Sequence, residues 1–122
     1  MLLHVLTQEF SVCKLRDITS VDFTGFVFLA ITDDEISLVC ETSRVPPDAV
    51  AAEHGWRTLK VDGVLDFGMV GVIAGIAGVL ARGGVSVFVV STYNTDYVLV
   101  KAVDVERAAG LLGDEGYEVV WG

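Results

Sequence analysis

The residues best suited to hold a small molecule fall within Gly63–Tyr97, GVLDFGMVGVIAGIAGVLARGGVSVFVVSTYNTDY. Gly68 precedes a run with helical spacing that begins at Val70, and Gly71 lies in its first turn. Free backbone N–H groups at a helix start suit a carboxylate, and glycine lets it approach the main chain. Further on, Asp96 in the turn Tyr93-Asn94-Thr95-Asp96 offers a carboxylate to an ammonium or guanidinium. Together these are complementary to the two ends of a free amino acid. A site working between about 1 mM and 1 μM needs only about −4 to −8 kcal/mol. Three or four charge-assisted hydrogen bonds, at about 1.5–3 kcal/mol each, supply that after binding costs.

Other chemistries find less support. The glycines read G-x-x-G-x-x-x-G-x-x-G, not G-x-G-x-x-G, and the unit that follows is antiparallel, which excludes a dinucleotide site. Ser86, Ser91, Thr92 and Thr95 carry hydroxyls, yet no histidine is close in sequence to activate them. His4 and His54 have no Cys, His or carboxylate at ligand spacing, so no metal and no cofactor are expected. Asp33-Asp34-Glu35 lacks the glycine and distal Glu of a calcium loop and reads as a solvated turn. The expectation is a non-enzyme; a small enzyme would need a cleft joining His4 or His54 to the Asp96 turn.

The elements that must position these residues follow from pattern. Val70, Ile73, Ala77 and Leu80 share one face at helical spacing, predicting a helix over Val70–Ala81 that Gly83-Gly84 stops. Gly71, Gly75 and Gly78 lie on a neighbouring strip, and each glycine inside a helix costs about 0.5–1 kcal/mol. That cost implies close approach by another backbone or a ligand. Val85–Thr92 reads as a buried strand and Tyr97–Lys101 as its partner across the turn. Asp104 caps a second helix, Asp104–Leu112, with Val105, Ala108, Ala109 and Leu112 inward, and Tyr117–Trp121 is the last strand. With Trp56–Val61 as the first strand, the order is βαββαβ, a ferredoxin-like α+β unit.

The first part of the chain gives two hairpins and a short helix. Leu2–Leu6 and Phe10–Leu15 flank Thr7-Gln8-Glu9, the length of a hairpin loop, and Phe26–Thr32 pairs with Ile36–Cys40. Asp17–Gly25 is a connection. Pro46-Pro47 points to a helix over Asp48–His54, closed by Gly55. This order resembles a second βαββαβ unit whose first helix is reduced to the Asp17–Gly25 connection. The expected division is a truncated unit at 1–56 and a complete unit at 57–122 that share a core, a tandem pseudo-repeat.

Composition bounds the partners. The chain has 122 residues, 52 % hydrophobic and 20 % charged, enough for a core. Its net charge of −9 argues against nucleic acid and against anionic membrane surfaces. Phe67–Ala81 spans 15 residues with four glycines, short of the roughly 20 apolar residues that cross a bilayer. His4 and Glu9 come too early for a signal peptide, and Cys13 and Cys40 read as buried thiols in a reducing, cytoplasmic setting.

GVIAGIAGVLARGGVSVFVVSTYNTDYVLV resembles the ACT domain, the βαββαβ module that binds amino acids in regulatory proteins. VSVFVVSTYNTDYVLVK and LHVLTQEFSVCKL resemble more narrowly the small stand-alone bacterial members related to CASTOR-type arginine sensors and aspartokinase regulatory domains. The resemblance implies a ligand at an interface between two ACT units, held by Gly71, by Ser86 with Val87, and by Thr92, Tyr93 and Asp96. It implies a regulatory homodimer with a free amino acid as ligand. Val70 stands where the family often has proline, and Asp66 lies two positions earlier than the usual acidic residue of that loop. The alternative within the family is a ligand-free scaffold that serves as a protein-interaction module, its strand edges pairing to a partner.

Overall fold

A computed structural model describes residues 1–122. In chain order the elements are β1 (Leu2–Val5), β2 (Phe10–Leu15), β3 (Val27–Ile31), β4 (Ile36–Glu41), β5 (Ala51–Val61), α1 (Val72–Arg82), β6 (Phe88–Ser91), β7 (Asp96–Lys101), α2 (Val105–Asp114) and β8 (Glu118–Trp121). The fold is α+β and ferredoxin-like. Two compact units divide the chain: Met1–Thr7 with Arg57–Gly122, and Gln8–Trp56. Neither helix is long and apolar enough to cross a membrane.

In the unit of Met1–Thr7 and Arg57–Gly122, the strand order is β8-β1-β5-β7-β6. The βαββαβ order of the sequence holds, with one addition. β1 lies between the first and last strands of the unit, antiparallel to β5 (Leu3 opposite Val61) and parallel to β8 (Leu3 opposite Val119). Leu3, Val5, Leu59, Val61, Val98 and Val100 form one face of the sheet. Ile76 and Leu80 of α1 and Ala108 and Leu112 of α2 close over it, all fully buried. Each Leu or Ile so buried contributes about 1.5–3 kcal/mol.

In the unit Gln8–Trp56, β3, β4, β2 and the first half of β5 follow one another, all antiparallel. Cys13, Leu15, Leu38 and Cys40 form its small core, with Val21, Val27 and Leu29 packed against them. Both cysteines are free and buried. Burial, with Cys13 and Glu41 nearby, pushes the Cys40 thiol up to about 12, and burial raises Cys13 as well.

Three local expectations change, besides the strand read as buried over Val85–Thr92, which is the edge strand β6 with no buried residue. Leu2–Val5 and Phe10–Leu15 do not form a hairpin, because β1 takes β5 and β8 as neighbours while β2 takes β4 and β5. Asp48–His54 is no helix: Ala51, Ala52 and Glu53 pair with Lys14, Cys13 and Val12. Helix-prone alanines are overridden by a ladder already waiting for a partner. The register then slips, for Phe10 faces Trp56, so β5 carries one extra residue. Gly55, with φ of +80°, supplies the left-handed bulge. Across that bulge Ser11 Oγ lies 2.7 Å from His54 Nδ1 and 2.8 Å from Thr42 Oγ1, which accounts for His54 as a bulge residue, not a helix terminus.

The third change concerns Asp104, whose side chain makes no capping hydrogen bond. Its carboxylate instead accepts from Arg107 at 3.2 Å.

Candidate ligand-binding site

Between β5 and α1 the chain has no regular structure, and its glycine and aspartate content explains why. Leu65 is the anchor: its side chain packs against the main core and its N–H donates to the Asn94 carbonyl at 2.6 Å. Asp66 then folds the loop on itself, accepting from Gly68 N–H through Oδ1 at 2.7 Å and from Met69 N–H through its carbonyl at 3.0 Å. Gly71 ends the loop with φ of +79°, a left-handed conformation that turns the backbone straight into α1. No side chain caps this helix and no acidic residue occupies its first turn. The partial positive charge of the helix start is therefore not answered by a cap or from within the first turn.

Opposite stands the β6–β7 turn. Thr92 N–H donates to the Thr95 carbonyl at 2.8 Å, closing the hairpin. The buried Thr95 hydroxyl donates to the Val61 carbonyl at 2.7 Å and ties the tip to β5. Asp96 accepts from the Ser91 hydroxyl at 2.5 Å, which fixes its carboxylate. That bond goes to Oδ1. Oδ2 remains for another donor.

Loop, helix start and hairpin tip enclose one cleft of about 400 Å³. Gly71, Val72, Ile73 and Ala74 line the helix side, and Thr92, Tyr93, Asn94, Thr95 and Asp96 the hairpin side, with Leu65–Phe67 along the loop. Of the residues singled out from sequence, Gly71, Thr92, Tyr93 and Asp96 thus meet on one surface. Ser86 and Val87 do not line it; Ser86 is exposed and Val87 packs against the core. His4 and His54 are also absent from the lining.

Sequence reasoning passed over two contributors. Phe67 and Tyr93 meet edge to face across the rim, their ring centroids 5.0 Å apart, yet they remain 76 % and 80 % exposed. Asp66 contributes the second carboxylate of the lining. The spacing of 26 residues between Phe67 and Tyr93 carried no periodic signal, and only the fold brings them together.

Comparison with known proteins agrees with the architecture. The ACT domain profile matches residues 51–114. The crystallised Agobacterium tumefaciens protein Atu0741 is 31 % identical, with a TM-score of 0.88 over 99 % of this chain and 92 % of that one. A Vibrio cholerae protein of unknown function, VC0802, is 17 % identical, with a TM-score of 0.75 over 90 % and 85 % of the two chains. The regulatory subunit of aspartate kinase from Thermus thermophilus, in ligand-free form, shares the fold at 8 % identity, with a TM-score of 0.65 over 92 % and 95 %. Among curated protein sequences none matches.

Proposed function

This chain belongs to the ACT domain family, and we propose that it is a non-catalytic regulatory protein whose cleft binds a free amino acid. One observation carries the reading: an uncapped helix start at Gly71 and the fixed carboxylate of Asp96 line the same cleft. The ligand carboxylate would sit against the N–H groups of Val72–Ala74, and its ammonium against Asp96 with Thr92 and Tyr93. The setting is cytoplasmic, in keeping with two free buried thiols.

The arrangement we favour is a homodimer joined along β6, which pairs only with β7. In that assembly Ser86 and Val87 of one copy would meet the ligand of the other. A ligand touching both copies would bias their association.

We further propose that Gln8–Trp56 belongs to a reduced repeat of the complete unit. The β6–β7 hairpin recurs 60 residues earlier as β3–β4: Thr32 N–H donates to the Glu35 carbonyl at 2.9 Å, as Thr92 does to Thr95. β4 and β7 share one burial pattern and each leads into a short 3-10 turn. Ile36 stands where Asp96 stands, and no helix precedes β3. The reduced unit therefore lacks both halves of the site, and the expected stoichiometry is one ligand per chain.

Isothermal titration against the twenty amino acids tests the proposal. At least one should bind with a site ratio of one per chain, and Asp96→Ala should abolish the heat while leaving the melting point nearly unchanged. Silence from all twenty would remove the sensor reading. It would leave the alternative of a protein-interaction module, for which the observation is the exposed apolar loop: Val64, Phe67 and Val70 are 74 %, 76 % and 94 % accessible.

A further inference from the structure

We propose that the outer edge of β3 is a docking site for an extended segment of another protein, with Lys or Arg at its N-terminal end followed by apolar residues at every second position. This inference is independent of the amino-acid reading above and concerns the unit Gln8–Trp56. β3 pairs with β4 alone. The phase of that ladder is set at the hairpin, where Thr32 N–H donates to the Glu35 carbonyl at 2.9 Å. Opposed residues in an antiparallel ladder alternate between bonded and non-bonded pairs. Thr32, Ala30 and Phe28 therefore bond to β4, while Val27, Leu29 and Ile31 turn their N–H and C=O groups outward. None of these three makes a backbone hydrogen bond elsewhere in the chain.

Sheets usually blunt such an edge with a lysine, a proline, an inward charge or a bulge. β3 reads VFLAI, without charge or proline, and follows β4 through five consecutive pairs with no slip. Val27 and Leu29 are only partly buried against the small core, and Ile31 is 62 % exposed. An added strand would satisfy the three outward residues and cover this face, provided that it is apolar opposite each of them.

Charge selects the occupant. Asp33, Asp34 and Glu35 stand exposed at the tip beside the end of β3. Their carboxylates are not needed to close the turn, because Thr32 Oγ1 accepts from the Asp34 and Glu35 N–H groups at 3.2 Å each. Antiparallel addition, the more stable kind per residue, brings the N-terminal end of the incoming strand to that tip. Lys or Arg there meets three carboxylates with no cation of their own. A second copy pairing through β3 would bring its tip to the Phe26 end instead. The cation at that end, Arg44, is already bonded to Asp22 and lies 3.8 Å from Glu41. Two chains of net charge −9 also repel each other.

The test titrates the isotope-labelled whole chain with the capped peptide Lys-Lys-Val-Thr-Val-Thr-Val. Amide shifts should concentrate at Val27, Leu29 and Ile31, with smaller changes at Phe28 and Ala30, whose N–H groups are already bonded. Neutralising the tip (Asp33→Asn, Asp34→Asn and Glu35→Gln together) should weaken binding about fivefold, the factor two exposed ion pairs provide. The peptide Glu-Glu-Val-Thr-Val-Thr-Val should bind at least about tenfold more weakly than the lysine peptide. Ile31→Pro removes an outward donor without touching the β4 ladder, and Ile31→Lys places a like charge beside the peptide's lysines; each should abolish the shifts. Equal binding by the two peptides, shifts centred on β6, or no shift at millimolar lysine peptide overturns the proposal. So do shifts at Val27–Ile31 on dilution of the chain alone, which would assign the edge to a second copy.

Discussion

Asp96 is held in one orientation within the chain, because the Ser91 hydroxyl donates to one of its oxygens. Gly71 is prepared differently. A Cβ added there would touch nothing within 4 Å, so only the left-handed backbone opposes a side chain. Gly71→Ala should therefore cost about 1–2 kcal/mol of stability with no clash, read as a drop in denaturant midpoint at unchanged m-value. A larger loss would mean that the loop depends on contacts not attributed to it. Gly71 and Asp96 were legible because helix starts and turns have residue signatures. Ser86 and Val87 rested on family resemblance alone, and within one chain they lie outside the cleft. Asp66 was seen in the sequence as the loop's acidic residue but not assigned to the site, and the Phe67–Tyr93 contact was beyond it, since nothing local in a loop says which way its side chains turn.

At the scale of elements, the helices were read from periodicity and their small residues do different work. A Cβ on Gly75 would come within 2.9 Å of the Tyr117 hydroxyl, whereas one on Gly110 meets nothing. Gly110→Ala should raise stability by about 0.5–1 kcal/mol; Gly75→Ala should gain less or lose, because Tyr117 packs against the core and must shift. Thermal melts of the two variants check the contrast. The strand over Ala51–Glu53 was misread because alanine-rich sequence favours a helix while the pairing that decides it lies some 40 residues away, at Val12–Lys14. On β4, the other neighbour of β2, lies Cys40, whose thiol is pushed up to about 12. Between the ordinary thiol value of 9.0 and about 12 the unfolded chain releases this proton and the folded chain keeps it. Stability should therefore fall as pH rises through that window, and Cys40→Ala should flatten the slope. Denaturant titrations at pH 8 and pH 10.5 compare the two proteins.

At the scale of the molecule, the βαββαβ order was legible and the place of β1 was not. Strand order along a sheet is set by long-range pairing, which no local pattern encodes. Because β1 stands between β5 and β8, and because Leu3 and Val5 are fully buried there, residues 57–122 alone lack a central strand. A 57–122 fragment should show weak amide dispersion by NMR, and added peptide 1–7 should restore it; a well-dispersed fragment without the peptide would contradict the topology. The proposed repeat was expected from element order alone, and the matching hydrogen bonds at Thr32 and Thr92 support it where the two turns share little sequence. Hairpin geometry is conserved by backbone bonding, which many side chains permit.

The measurement that bears most directly on the proposed function is amide chemical-shift mapping of the labelled protein during amino-acid titration. The account predicts that at least one amino acid at saturation shifts Gly71–Ala74, Thr92, Tyr93 and Asp96 together, and leaves the Thr32–Ile36 turn unmoved. Shifts centred on that other turn, or no shift at Gly71 and Asp96 with any amino acid at millimolar concentration, would contradict it.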